Sequence, residues 1–333
     1  MSRSALKERR GFRKASEGDA KRLAAQLESR FPGFRPGRAF REVIKRYPAQ
    51  APGELLQLIA KPSFNDPVFR QVVPSLEELD EGGDEDPAGE TKFAAVPGVL
   101  HRYTDRALLI TTNNCLVRCR HCMRKRLWSD GDETDTDRLP AWINYLADHP
   151  EIKEVILSGG DPLALPDERL LQILAALHGL PGKKKLRVHS RALMACPSRI
   201  TAGLARAMSG FGVKRFVTQM NHPVEVTKRA REAARVLGNS GIKTENQAVL
   251  LKGVNDSPEV LAELFYKTAA AGILPYYLHH PDRARGCLHF YMELPQGAET
   301  YRKAKELNGG IAPDYVVDLP GRDAKKEVLG LLG

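Results

Sequence analysis

The sequence has no run of about 18 consecutive apolar residues, the length a membrane-crossing helix needs, so a membrane protein of that kind is not expected. It also shows no leader pattern. The opening stretch MSRSALKERRGFRKASEGDAKR has no apolar core and carries Glu8, Glu17 and Asp19, unlike a secretory signal or a transit peptide, and a cytoplasmic location is expected. The net charge is +10, yet the Lys and Arg residues are scattered and form no long basic block, which argues against a nucleic-acid partner. Cysteines are few, five in 333 residues, and their odd number excludes a fully paired disulfide framework. No early Gly-rich dinucleotide fingerprint is present. What remains is an ordinary globular composition, 42% hydrophobic and 28% charged, long enough to bury a sizeable core.

Four regions can be read along the chain. Residues 1–73 form an N-terminal helical region, with amphipathic stretches at DAKRLAAQLESRF and GRAFREVIKRY closed by Pro or Gly. Residues 74–92, including PSLEELDEGGDEDPAGE, are acidic and Gly-rich and read as a linker that does not pack tightly. Beyond it the apolar runs ALLITT, EVILSGG, LRVHS, RFVTQM, NQAVLL and PYYLHH recur about every 30 residues, with a seventh at YVVDL, as buried parallel strands do. Segments of helical period such as ERLLQILAALHGL and PEVLAELFYKTAAAG lie between them, so the pattern is βαβα with helices outside a parallel sheet. Polar signatures fall at the strand C-terminal ends: Asn114 and Cys115, Ser158 to Asp161, Ser190 and Arg191, Asn221 and His222, His279 and His280. That is the active face of a β/α barrel. An open doubly wound sheet would also bind ligands there, but six loaded units favour a partial (β/α)6-type, TIM-like barrel over 93–290, followed by a C-terminal segment 291–333.

Three of the five cysteines lie together in Cys115-Leu-Val-Arg-Cys119-Arg-His-Cys122, while Cys196 and Cys287 stand alone. Thiolates suit iron, and a cubane cluster normally takes four, so three leave one iron open to an exogenous ligand. The competing reading is a structural zinc site. Zinc needs a fourth protein ligand, a second CxxC pair is missing, and only His121 is near.

CxxxCxxC after the first barrel strand resembles the radical S-adenosylmethionine superfamily, which implies a [4Fe-4S] cluster on Cys115, Cys119 and Cys122 with S-adenosylmethionine on the free iron. In that superfamily a Gly-rich signature after the second strand contacts the cofactor, and Ser158, Gly159, Gly160 and Asp161 occupy its place, with glycines allowing close approach to a ligand. More narrowly, PGVLHRYTDRALLITTNNC, CRHCMRKR, SGGDPL, NHPVEVT, ENQAVLLKGVND and YYLHH are similar to the lysine 2,3-aminomutase family, from about Pro62 to Lys325. This resemblance implies an isomerase that moves an amino group between Cα and Cβ of L-lysine, giving β-lysine, with pyridoxal 5'-phosphate as a further cofactor. It implies Lys325, in Pro320-Gly321-Arg322-Asp323-Ala324-Lys325, as the lysine that carries pyridoxal phosphate, although the family's glycines are replaced here and Lys326 stands next to it. It further implies Arg102 and Arg106 at the phosphate, Tyr103 beside the ring, Arg124 at the substrate carboxylate, and Asp282 and Asp318 at the distal ammonium. His121, His222 and Gln247 are candidate contacts to either cofactor. An electron donor such as flavodoxin or ferredoxin would feed the cluster.

Other readings stay open at this point. Shorter members of the family make β-lysine for attachment to translation elongation factor P, and another cationic amino acid would also suit two aspartates. A radical S-adenosylmethionine RNA-modifying enzyme would suit the +10 charge. A metal-stabilised scaffold without catalysis would suit the altered lysine loop. Long family members carry a C-terminal cysteine cluster for an intersubunit zinc. That cluster is missing here, so any homo-oligomer is expected to form without it.

Overall fold

The computed structural model describes residues 17–128, 138–318 and 325–332. Its centre is one ten-stranded sheet whose strands lie in chain order. An antiparallel lead-in, β1 (Ala94–Val96) and β2 (Val99–Tyr103), joins β3 (Arg106–Ile110). The sheet is then parallel through β4 (Glu154–Ser158), β5 (Lys185–His189), β6 (Val213–Thr218), β7 (Lys243–Val249), β8 (Leu274–His279) and β9 (Asp314–Val317). A short β10 (Lys326–Glu327) pairs antiparallel with β9, and β10 does not meet β1, so the barrel is partial. The parallel run therefore passes residue 290, where the sequence reading drew the end of the barrel. Tyr315, Val316 and Val317 are buried, and apolar residues of this kind add a seventh parallel strand rather than an appended segment.

Between the strands, helices Leu139–Asp148, Asp167–His178, Ala202–Gly210, Lys228–Asn239 and Pro258–Ala270 cover the outside. The second of these buries Leu170, Ile173, Leu174 and Leu177, the i, i+3, i+4, i+7 stripe of a helix lying on a sheet. The last three are opened by Thr201, Thr227 and Ser257, whose side chains accept from Leu204, Ala230 and Val260 backbone N–H groups. Inside the barrel, the N-terminal halves of the strands carry an ion ladder: Arg187 to Glu154 at 2.6 Å, Arg215 to Glu154 at 3.3 Å and Arg215 to Glu245 at 2.6 Å. Arg187 also lines the cavity at the strand C-terminal ends, so the ladder reaches that cavity through one guanidinium.

The N-terminal helices Glu17–Arg30, Arg38–Arg46, Gly53–Leu56 and Pro67–Val72 share one apolar core with the barrel, through Leu23, Leu27, Phe40, Leu55 and Phe69. Residues 74–92 overturn the expectation of a loosely packed linker. Ser75 opens a capping box with Glu78. Glu78 is fully buried and receives hydrogen bonds from Arg120 Nε at 2.9 Å and Nη2 at 2.5 Å and from Lys125 Nζ at 2.8 Å. Arg120 also reaches the carbonyls of Pro48 and Tyr47, and Lys125 that of Gly286. Burial pushes the Glu78 carboxyl up, but Arg120 and Lys125 outweigh it and hold it below its usual range. An acidic, Gly-rich composition looked solvated because the cations that neutralise it lie some 40 residues away in the cysteine loop.

The loop after β4 is seated on the same cysteine loop. Gly160 N donates to Thr112 O at 2.6 Å and Asp161 N to Asn114 O at 2.7 Å. Gly159 has φ +107, and a Cβ there would lie 2.8 Å from Thr112 O, while one on Gly160 would overlap the Asn114 carbonyl. Close approach of chain to chain therefore requires these glycines here, beside any approach to a ligand.

Glu78→Ala should cost about 3–5 kcal/mol in urea denaturation, since two buried cations lose their counter-charge; a loss under about 1 kcal/mol would show that water replaces the carboxylate. Gly160→Ala should displace the loop bearing Cys115 and abolish iron uptake on anaerobic reconstitution. Gly203→Ala, in an open helical position, should leave iron content unchanged.

Candidate functional site

The strand C-terminal ends enclose a cavity of about 590 Å³, a size suited to small molecules. Cys115, Cys119 and Cys122 all line it. Burial pushes the Cys115 thiol well up and the Cys122 thiol up, so iron must displace protons to bind there. Cys119 Sγ accepts from Arg191 Nη1 at 2.8 Å. Among the described residues no three His, Cys, Asp or Glu side chains are gathered to hold a single ion. A set of three soft thiols on one buried loop fits a cluster of irons, each taking one thiol.

Two ring nitrogens in the same cavity wall add to that fit. His121 Nε2 lies 3.3 Å from Asn221 Nδ2, which assigns it as acceptor and leaves Nδ1–H buried with no partner among the described residues. His189 Nδ1 lies 3.4 Å from Gln247 Nε2, and its Nε2 is likewise buried and unpartnered. Burial keeps both rings well below the usual histidine range, hence neutral, with N–H groups available to a ligand acceptor.

Arg124 lies on the cavity wall two residues past Cys122. Its Nε donates to Glu90 at 2.9 and 3.1 Å, Nη2 to Glu90 Oε1 at 2.6 Å, and Nη1 to Gly159 O at 3.2 Å. Farther along the lining, Lys325 Nζ is 3.4 and 3.5 Å from the two His279 nitrogens, 3.7 Å from Asp318 Oδ2 and 5.1 Å from the centre of the Tyr277 ring. Burial lowers its pKa, against the opposing pull of Asp318. Lys326 is exposed in β10 and does not line the cavity. Residues 320–324 of its loop lie outside the described residues.

Asp318 accepts from Arg102 Nη1 at 2.8 Å, so two side chains assigned by resemblance to different ligands meet each other here. Arg106 pairs with its neighbour Asp105 at 2.8 Å, and both Arg102 and Arg106 lie over the Tyr103 ring. Asp282 lines the cavity, its carboxyl pushed up to about 7 by burial and by the charge of Asp318.

Two assignments change. His222 is not among the cavity residues; it caps the short turn Pro223–Glu225, with Nδ1 accepting from Val224 N at 3.3 Å. Asp161 reaches the lining, but both its oxygens are taken, by Leu163 N, Ser190 Oγ and Arg191 N, so it joins two strand ends. Ser158, Gly159, Gly160 and Gln247 remain on the wall. Sequence reasoning assigned no role to His189, Arg191 or Glu90. The phrase His189-Ser190-Arg191 at a strand end was a usable signal for the first two; Glu90 was hidden among other acids.

A model of the radical SAM superfamily matches residues 109–265. The L-lysine 2,3-aminomutase of Escherichia coli (strain K12) is 34% identical over 291 residues, which cover 86% of this chain and 85% of that protein. The L-lysine 2,3-aminomutase of Clostridium subterminale is 36% identical over 278 residues, covering 82% of this chain and 67% of that protein. That of Methanococcus maripaludis is 38% identical over 268 residues, covering 79% and 62%. With the cysteine loop, the strand-end cavity and this extent of identity taken together, the chain belongs to the L-lysine 2,3-aminomutase family of radical SAM proteins.

Proposed function

We propose that the chain interconverts L-lysine and β-lysine by 1,2-migration of the amino group. The observation that carries this reading is that one cavity is lined at once by three cluster-type thiols, by Lys325, and by Arg124, Asp282 and Asp318. When bound, the iron–sulfur cluster and S-adenosylmethionine would supply the hydrogen-abstracting radical, and pyridoxal phosphate would supply the carbonyl group that holds the amino nitrogen while it moves between Cα and Cβ.

Cys115, Cys119 and Cys122 would hold the iron, and His121, His189, Gln247 and the Ser158–Gly160 backbone would line the neighbouring ligand. Lys325 would carry pyridoxal phosphate, because its lowered pKa favours the neutral amine that attacks a carbonyl. Arg102 and Arg106 would receive the phosphate beside Tyr103. Arg102, already the partner of Asp318, couples the phosphate end of the site to the ammonium end. Arg124 would bind the amino-acid carboxylate next to the cysteine loop, and Asp282 with Asp318 would take the side-chain ammonium, a pair that suits a cation and repels glutamate.

No helix among the described residues is long and apolar enough to cross a membrane. A cytoplasmic enzyme reduced by a flavodoxin- or ferredoxin-type donor is the setting this reading implies.

Anaerobically reconstituted protein should convert L-lysine to β-lysine, detected by mass spectrometry; no product from any cationic amino acid would overturn the reading. Lys325→Ala should lose the pyridoxal absorbance band while Lys326→Ala keeps it. The kcat/KM for lysine should fall as pH drops through about 7, because the Asp282 carboxylate must be ionised to receive an ammonium and its pKa is pushed up to about 7. Asp282→Asn should lower the plateau and remove that limb.

A further inference from the structure

Arg124 carries five N–H donors. Among the described residues, Nε and one hydrogen of Nη2 are taken by Glu90, and one hydrogen of Nη1 by Gly159 O, which leaves one donor on each terminal nitrogen. A guanidinium on the cavity wall whose terminal nitrogens still have hydrogens to give can hold a carboxylate.

Glu90 is built into this place. Its side chain is 11% exposed, and its second oxygen accepts from Arg126 Nη2 at 3.0 Å. Asp86 holds the turn that carries it: Oδ1 accepts from Glu90 N at 3.0 Å, and Oδ2 accepts from Thr91 N at 2.9 Å and Thr91 Oγ1 at 2.6 Å. Asp86 also pairs with Arg126 at 3.1 Å. Two acids and two guanidinium groups thus balance to zero charge, with Glu90 shared by Arg124 and Arg126. Burial pushes the Glu90 carboxyl up, but Arg124 and Arg126 outweigh it and keep it ionised at neutral pH.

We propose that Glu90 is a positioning residue for the substrate carboxylate: it grips the Nε side of the Arg124 guanidinium so that the terminal nitrogens are presented, pre-oriented, to the cavity. The inference rests on the reading of Arg124 as the carboxylate-binding residue. A flexible arginine would bind the carboxylate at the cost of freezing its own rotamers; here that ordering is done in advance, and the Cα–Cβ bond of the substrate is held at one depth relative to the cysteine loop. Glu90 itself touches neither substrate nor cofactor in this scheme.

The test compares L-lysine with cadaverine, which keeps both amino groups and lacks the carboxylate. Binding of each to the reconstituted holoenzyme is measured by calorimetry for the unaltered protein, Glu90→Ala and Glu90→Gln, with iron and pyridoxal content as a check on folding. The expected result is that Glu90→Ala weakens L-lysine by about tenfold or more while cadaverine stays within about twofold. Glu90→Gln, which keeps an acceptor without the charge, should fall between. The ratio of 5'-deoxyadenosine to β-lysine formed should rise in both variants, because a misplaced substrate lets the radical go astray. Equal weakening of both ligands would make Glu90 a structural clamp and overturn the proposal, as would unchanged or tighter L-lysine binding. If Glu90→Ala does not fold, the same two outcomes are read from Glu90→Gln. An unaltered protein that bound neither ligand would overturn the proposed function itself, and this inference with it.

Discussion

The stretch from Cys115 to Trp128 carries Arg118, Arg120, Arg124, Lys125 and Arg126 among its three cysteines, and it lies inside the molecule. Cations taken out of water must find acceptors, or the loop cannot fold there. Glu78 answers Arg120 and Lys125, Glu90 answers Arg124 and Arg126, and Arg118 reaches the Asn113 carbonyl at 3.0 Å and lies over the Trp128 ring. The acidic segment before the barrel is therefore the counter-charge of the cysteine loop. The three thiols owe their placement as much to residues 74–92 as to the strand they follow.

From that loop the order passes sideways along the strand ends. Asp161, after β4, holds Ser190 and Arg191 after β5; Arg191 reaches back to Cys119 and to the Gln219 carbonyl after β6. Asn221 then ties His121 and Gln71 to Val249 at the end of β7. Each link is a hydrogen bond between groups removed from water, where leaving one unmade is costly. The cavity wall behaves as one network, with the neutral rings of His121 and His189 as its open donors.

Much of the fold was legible because buried parallel strands announce themselves as short apolar runs, and six of them, with their helices, stand where the pattern put them, each strand starting within three residues of its run. The cysteine loop was legible for a similar reason: its residues are local, three thiols in one turn of chain. What stayed hidden is non-local. Glu78 and Glu90 looked like solvated acids, since nothing in a linear sequence pairs them with arginines 34 to 42 residues away. His222 was taken for a ligand contact from its motif, yet its neighbour Asn221 is the residue that turns inward. Asp161 and the paired glycines do line the cavity, and they also tie the loop after β4 to its neighbours, which the motif does not announce.

One small element has a larger consequence than its length suggests. Two rungs, Lys326 to Val317 and Glu327 to Val316, set Lys325 beside Asp318. In a strand, neighbouring side chains alternate between faces, so a slip of one residue normally turns an inner group outward. Here the neighbour is also a lysine. By that register, a slip of one residue would set a second amine, that of Lys326, opposite Asp318.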